Sequence, residues 1–120
     1  MELTLNIYND FDEVVKTYTR NSYALKMRQL KDVIETLDLD KLASCFTSKD
    51  SNSNAELVKI VSNFVLNSYD KIQELMKDIF PDMTEEEYLD VHVNEVVTVV
   101  INLGKYAFKT IGIAGSGQKN

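Results

Sequence analysis

The chain has 120 residues, with 19 Asp and Glu against 13 Lys and Arg and a formal charge of −6. That length suits one compact domain and leaves no room for a second independent core. The acidic balance argues against non-specific binding to a phosphate backbone, which needs clustered cations to release counterions.

Lys26, Arg28 and Lys31 form the densest basic group and read as one face of a helix in water. The single cysteine, Cys45, has no partner for an intramolecular disulfide, and MELTLNIYND lacks the basic and apolar regions of a signal peptide. A reducing cytosol is the expected setting. The most apolar stretch is interrupted by Asn94, Glu95, Thr98, Asn102 and Lys105, short of the roughly 18 residues that span a bilayer, so no membrane association is expected.

Leu3, Leu5 and Ile7 alternate with Glu2, Thr4 and Asn6, the period of a half-buried strand over Glu2 to Tyr8. Asn9-Asp10-Phe11-Asp12 is rich in turn formers, and Val14 to Arg20 carries the β-branched and aromatic residues of a second strand, so the two predict a hairpin. An isolated hairpin is marginal in water and must pack on helices or pair across its edge.

Ser22 is the expected cap of an amphipathic helix in which Tyr23, Met27, Leu30, Ile34 and Leu37 recur at helical spacing. One or two helical turns are predicted over Leu39 to Phe46, and a mobile loop over Thr47 to Asn54. Ser53 and Glu56 then have capping-box spacing, and a broad apolar stripe runs from Leu57 through Phe64 to Ile79. The helix should stop at Phe80, because Pro81 disfavours helical geometry in the residue before it. A second capping box, Thr84 with Glu87, opens a short helix through about Asp90, its three glutamates suiting the positive end of the helix dipole.

In the last segment two principles conflict. Val96, Val97, Val99, Val100 and Ile101 favour a strand, yet Val93, Val96, Val97, Val100, Gly104, Ala107, Phe108 and Ile111 recur at helical spacing. The adjacent valines break strict alternation, so a helix is predicted. The fold class is therefore α+β and mostly helical: an N-terminal β-hairpin, a bundle of about four helices over residues 1–111, and a flexible glycine-containing tail at 112–120.

Catalytic chemistry finds little support. His92 is the only histidine, which excludes a multi-histidine metal site, and no serine or cysteine nucleophile is near it in sequence. Cys45 beside Phe46 and Leu42 reads as an inert thiol. The seven carboxylates Asp78, Asp82, Glu85, Glu86, Glu87, Asp90 and Glu95 lack the glycine and ligand order of a calcium loop. Gly112 and Gly117 have phosphate-loop spacing, but Gln118 stands where a lysine is needed. No enzyme activity, cofactor or metal is expected. The acidic stretch running into a long apolar helix points instead to docking.

Phe80 to Phe108, FPDMTEEEYLDVHVNEVVTVVINLGKYAF, resembles the C-terminal signature of the tail assembly chaperones of long-tailed bacteriophages. The layout is also similar: an ELTL-like strand, a basic amphipathic helix, and two long helices separated by FP and an acidic capped turn. His92 and Asn94 stand where that family more typically carries acidic residues. The resemblance implies a non-enzymatic protein of the host bacterial cytoplasm, absent from the mature virion, that binds the tape measure protein and recruits major tail protein subunits.

Phe64, Tyr69, Tyr88, Tyr106 and Phe108 are the candidate partner-binding anchors, since large aromatics dominate many interfaces, with burial in the core as the alternative for Phe64 and Phe108. Self-association through the hairpin edge or adjoining helices is expected, because coating a long partner calls for many copies. The resemblance further implies a longer product made by a −1 frameshift, carrying an extension that recruits the major tail protein. Gln118-Lys119-Asn120 can be encoded by a slippery heptamer. The alternative function is a small acidic regulator that occupies a basic nucleic-acid-binding protein by charge mimicry. Salt distinguishes the two, since mimicry weakens steeply with ionic strength and apolar docking does not.

Overall fold

A computed structural model describes residues 2–37 and 51–119, the side chains of 51–54 and 111–119 excepted. Cys45 and the turns expected over residues 39–46 lie outside the described residues. So do residues 47–50 of the loop expected at 47–54, whereas 51–54 are helical, a correction of that loop and of the helix start expected at Ser53; the side chains of the tail expected at 112–120 are likewise not described.

The hairpin forms as its alternation predicts. Strands β1 (Glu2–Tyr8) and β2 (Val14–Asn21) pair antiparallel, with Leu3, Leu5 and Ile7 opposite Arg20, Tyr18 and Lys16. The Asn9 side-chain oxygen accepts the N–H of Phe11 at 2.9 Å and of Glu13 at 3.0 Å, and Asp12 takes a left-handed φ of 61°, a conformation short polar residues tolerate. A register shift between Ile7 and Tyr8 leaves Val15 unpaired as a bulge.

The two strands meet the core differently. Leu3, Leu5 and Ile7 are buried, whereas the residues of β2 on the same face are long and amphipathic and act as straps. Arg20 Nη1 donates to the carbonyl of Ile79 at 2.9 Å and the Tyr18 hydroxyl donates to Glu87 at 2.7 Å.

A 3-10 turn (Ser22–Ala24) leads into helix α1 (Met27–Thr36). The expected cap is corrected here: the Asn21 side chain, not Ser22, accepts the N–H of Tyr23, and Ser22 is buried. The single stripe expected up to Phe80 is two helices, α2 (Ser51–Asn67) and α3 (Tyr69–Ile79), broken at Ser68 with φ −121° and ψ 46°. Asn67 and Ser68 are both poor helix formers, although the Ser68 side chain makes no capping hydrogen bond. Helix α3 ends before Pro81 as predicted.

Helix α4 (Glu85–Tyr88) opens on the predicted capping box: Thr84 Oγ1 accepts the Glu87 N–H at 3.1 Å, and Glu87 Oε1 accepts the Thr84 N–H at 2.9 Å. Helix α5 (Val93–Lys119) follows, its period having outweighed its valine content. It packs against β1, α1 and α2, with Val96, Val99, Val100, Leu103 and Ala107 buried, and forms the centre of the core.

Candidate docking surfaces

The five candidate anchors divide. Tyr88 is 4% exposed and belongs to the core, so its assignment as a surface anchor is corrected. The short α4 turn aims its apolar side inward, and burial followed by the neighbouring Tyr69 pushes the Tyr88 phenol up to about 12. Tyr69 covers Tyr88 with ring centroids 5.4 Å apart and remains partly open to water. Phe64 is half-buried and packs against the core, as the alternative reading allowed. Phe108 is also half-buried. Tyr106 meets Tyr23 edge to face at 5.9 Å, far along α5 from the Tyr69–Tyr88 pair.

That second aromatic pair leads to a surface the choice of anchors missed. On α1, Val33 and Leu37 face the core, together with Gln29, which is only 9% exposed. Gln29 is satisfied there: its Oε1 accepts the Lys26 N–H at 2.7 Å, and its Nε2 donates to the Asp78 carbonyl at 3.4 Å. Most of the predicted stripe is thereby turned outward. Tyr23 is 79% exposed, Met27 80% and Ile34 39%, while Leu30 is half-buried between them.

Met27, Leu30 and Ile34, with Arg28, Lys31 and Glu35, line a groove of about 400 Å³. Lys31 makes only a loose 3.7 Å pair with Glu35, and both are well exposed. The sequence signal was present in the 4-3-4 spacing of Tyr23, Met27, Leu30 and Ile34, the seam of a helix pair.

At the other end of the hairpin, carboxylates bind β1 to α5. Glu95 Oε1 accepts the Asn6 N–H at 3.1 Å and the Asn6 side-chain amide at 2.9 Å, and its other oxygen accepts the Tyr8 hydroxyl. That hydrogen bond, the first cause, raises the Tyr8 pKa. The Tyr8 N–H donates to the Asp90 carbonyl at 3.0 Å, so two outward donors of β1 are taken. Asp12 Oδ1 lies 2.6 Å from His92 Nε2, and the Tyr8 ring stacks on the imidazole at 3.7 Å. His92 therefore works as a latch between the hairpin tip and the start of α5.

Two carboxyls are displaced in opposite directions. Glu87 is lowered to about 2, first by the Thr84 N–H and then by the Tyr18 hydroxyl, with Lys16 at 3.4 Å adding to both. Asp78 is pushed up to about 6 by burial, then by the carboxyl of Asp32 across the α1–α3 contact, against the pull of Arg28 and Arg20. Its Oδ2 is buried without a hydrogen-bond partner.

Among the described residues, no group of three or more His, Cys, Asp or Glu gathers for a metal ion, and no helix is long and apolar enough to cross a membrane. Comparison with protein-family models, with curated proteins and with solved structures finds no match to this chain.

Proposed function

We propose that this chain is a non-enzymatic tail assembly chaperone of long-tailed bacteriophages, acting in the host cytoplasm and leaving before the virion matures. It binds the tape measure protein and helps recruit major tail protein subunits, the latter through a frameshifted extension. The sequence layout over Phe80 to Phe108 motivates the reading. The observation that supports it most is the outward apolar seam of α1, which suits capture of a long helical partner.

Several copies act along one partner, and the outer edge of β2 is the candidate contact between them. Among the described residues it pairs with no third strand, whereas β1 is tied to the Asp90 carbonyl before α5 and to Glu95 within it. The acidic-regulator reading keeps one support, the exposed carboxylates Asp82, Glu85, Glu86 and Asp90.

The test is co-expression with the tape measure protein that this reading expects to be encoded beside the gene. The chaperone reading expects a soluble complex that survives high salt during purification. A tape measure protein that stays insoluble in the presence of this chain refutes it, and a complex with a basic partner that dissolves steeply with salt favours the regulator.

A further inference from the structure

We infer that the outward seam of α1 is a binding site for a single amphipathic helix whose flanks are acidic. Three observations converge on that occupant. First, Met27, Leu30 and Ile34 occupy successive seam positions of a two-helix contact, and they span two turns, about 10 Å along the axis. Second, the fold uses only part of the helix's apolar surface: Val33, Leu37 and part of Leu30 meet the core, while Met27 and Ile34 do not. A glutamine is buried while a methionine 80% exposed stands on the opposite side, so among the described residues the apolar area of Met27 and Ile34 is left uncovered.

Third, the rim is cationic in a protein of net charge −6. Arg28 and Lys31 line the groove, Glu35 is its single acidic lining residue and only loosely pairs with Lys31 at 3.7 Å, and the exposed Lys26 stands just before the seam as the N-cap of the helix. Flanking positions of a helix pair set partner choice by charge, so a partner bearing Glu there is attracted and one bearing Lys is repelled. The apolar centre excludes a bare polyanion. A second copy of this chain fits less well, since its acidic helix α4 is one turn long and cannot cover the two turns from Met27 to Ile34.

The site deepens the chaperone reading, in which the bound helix belongs to the tape measure protein, but it stands apart from that identity. Its test therefore uses designed helices and not the phage partner. Two labelled peptides of about three heptads share a Leu seam, one with Glu and one with Lys at the flanking positions, and their binding is followed by fluorescence anisotropy.

The Glu peptide is expected to bind about tenfold more tightly than the Lys peptide. K26E/K31E, at two exposed positions, is expected to reverse that preference, and M27E/I34E to weaken both peptides by about a hundredfold. Equal binding of the two peptides, or a charge-reversed variant that behaves as wild type, overturns the inference. So does a dimer of the isolated protein that M27E/I34E converts to monomer in sedimentation, because a second copy would then cover the seam. Resistance of Met27 to peroxide in the isolated protein also overturns it, by showing the groove already filled. A tape measure protein that fails to bind while the peptides behave as described refutes the phage assignment and leaves the site standing.

Discussion

Asp78→Asn is expected to make the protein more stable at pH 8 and to leave it unchanged at pH 4. The Asp78 carboxyl is raised from an ordinary 3.8 to about 6, by burial first and by Asp32 second. A carboxyl whose pKa is higher in the folded state binds its proton more tightly there. The resulting stability is fully present below 3.8 and is lost as pH rises through 6. At full strength the displacement corresponds to roughly 3 kcal/mol, but the carboxyl is only partly buried and solvent screens it, so about 1–2 kcal/mol is expected.

Asparagine removes the charge and supplies an N–H donor toward Asp32, the role the shared proton plays at low pH. The assay is urea unfolding of both proteins from pH 4 to pH 8, read as the difference in unfolding free energy, which cancels every group the two share. The gap should open between pH 4 and pH 7, with a melting temperature about 3–6 °C higher for the variant at pH 8. A pH-independent gap, or a less stable variant at pH 8, would refute the reasoning that Asp78 is held against Asp32 at a cost.

Glu87→Gln works in the opposite sense: a carboxyl lowered to about 2 contributes stability above its ordinary 4.5 that is lost as pH falls toward 2. The variant should be about 1–2 kcal/mol less stable at pH 7 and equal to wild type near pH 2, as denaturation at the two pH values will show. Tyr88→Ala is expected to cost about 3–4 kcal/mol and Tyr88→Phe less than about 1 kcal/mol, since the ring fills core; a stable alanine variant in a urea titration would contradict the core assignment. Glu95→Ala leaves the Asn6 N–H, its amide and the Tyr8 hydroxyl without their acceptor, so amide exchange at Asn6 should quicken, and unchanged protection there would show that the Glu95 tie between β1 and α5 is unimportant.

Elements whose local and global preferences agree were legible in the sequence. β1 has the predicted bounds because its alternation matches a face that is buried, and α4 starts at Thr84 because the capping box satisfies N–H groups locally. The last helix was legible despite its valines, since a stripe buried on several sides outweighs propensities worth a few tenths of a kcal/mol each. The break at Ser68 was not, because the apolar stripe keeps helical phase across it and only the weak preferences of Asn67 and Ser68 mark it. Tyr88 was misassigned for a related reason: a four-residue helix has too few positions for its period to say which side is buried.

The face that α1 turns to the core was not legible in its stripe, and the difference is more informative. Its apolar stripe was clear, and the ordinary rule turns such a stripe toward the core. The fold instead seats Gln29 and Val33 inside, with the Gln29 amide satisfied by Lys26 and Asp78, and presents Met27 and Ile34 to water. Folding alone gives no reason to expose a methionine while burying a glutamine, because burying the amide contributes little net stability even when it is hydrogen-bonded. Consistency between levels fails here while the hairpin, the capping box and the last helix all obey it. A local failure against an otherwise consistent background is where a protein's surface is shaped by something other than its own core. The densest cationic group of an acidic chain falls at the same helix, and two of its members, Arg28 and Lys31, line the groove beside Met27 and Ile34. Their coincidence ties the apolar seam and the charged rim to one partner, because either feature without the other would be satisfied by water or by a neighbouring side chain.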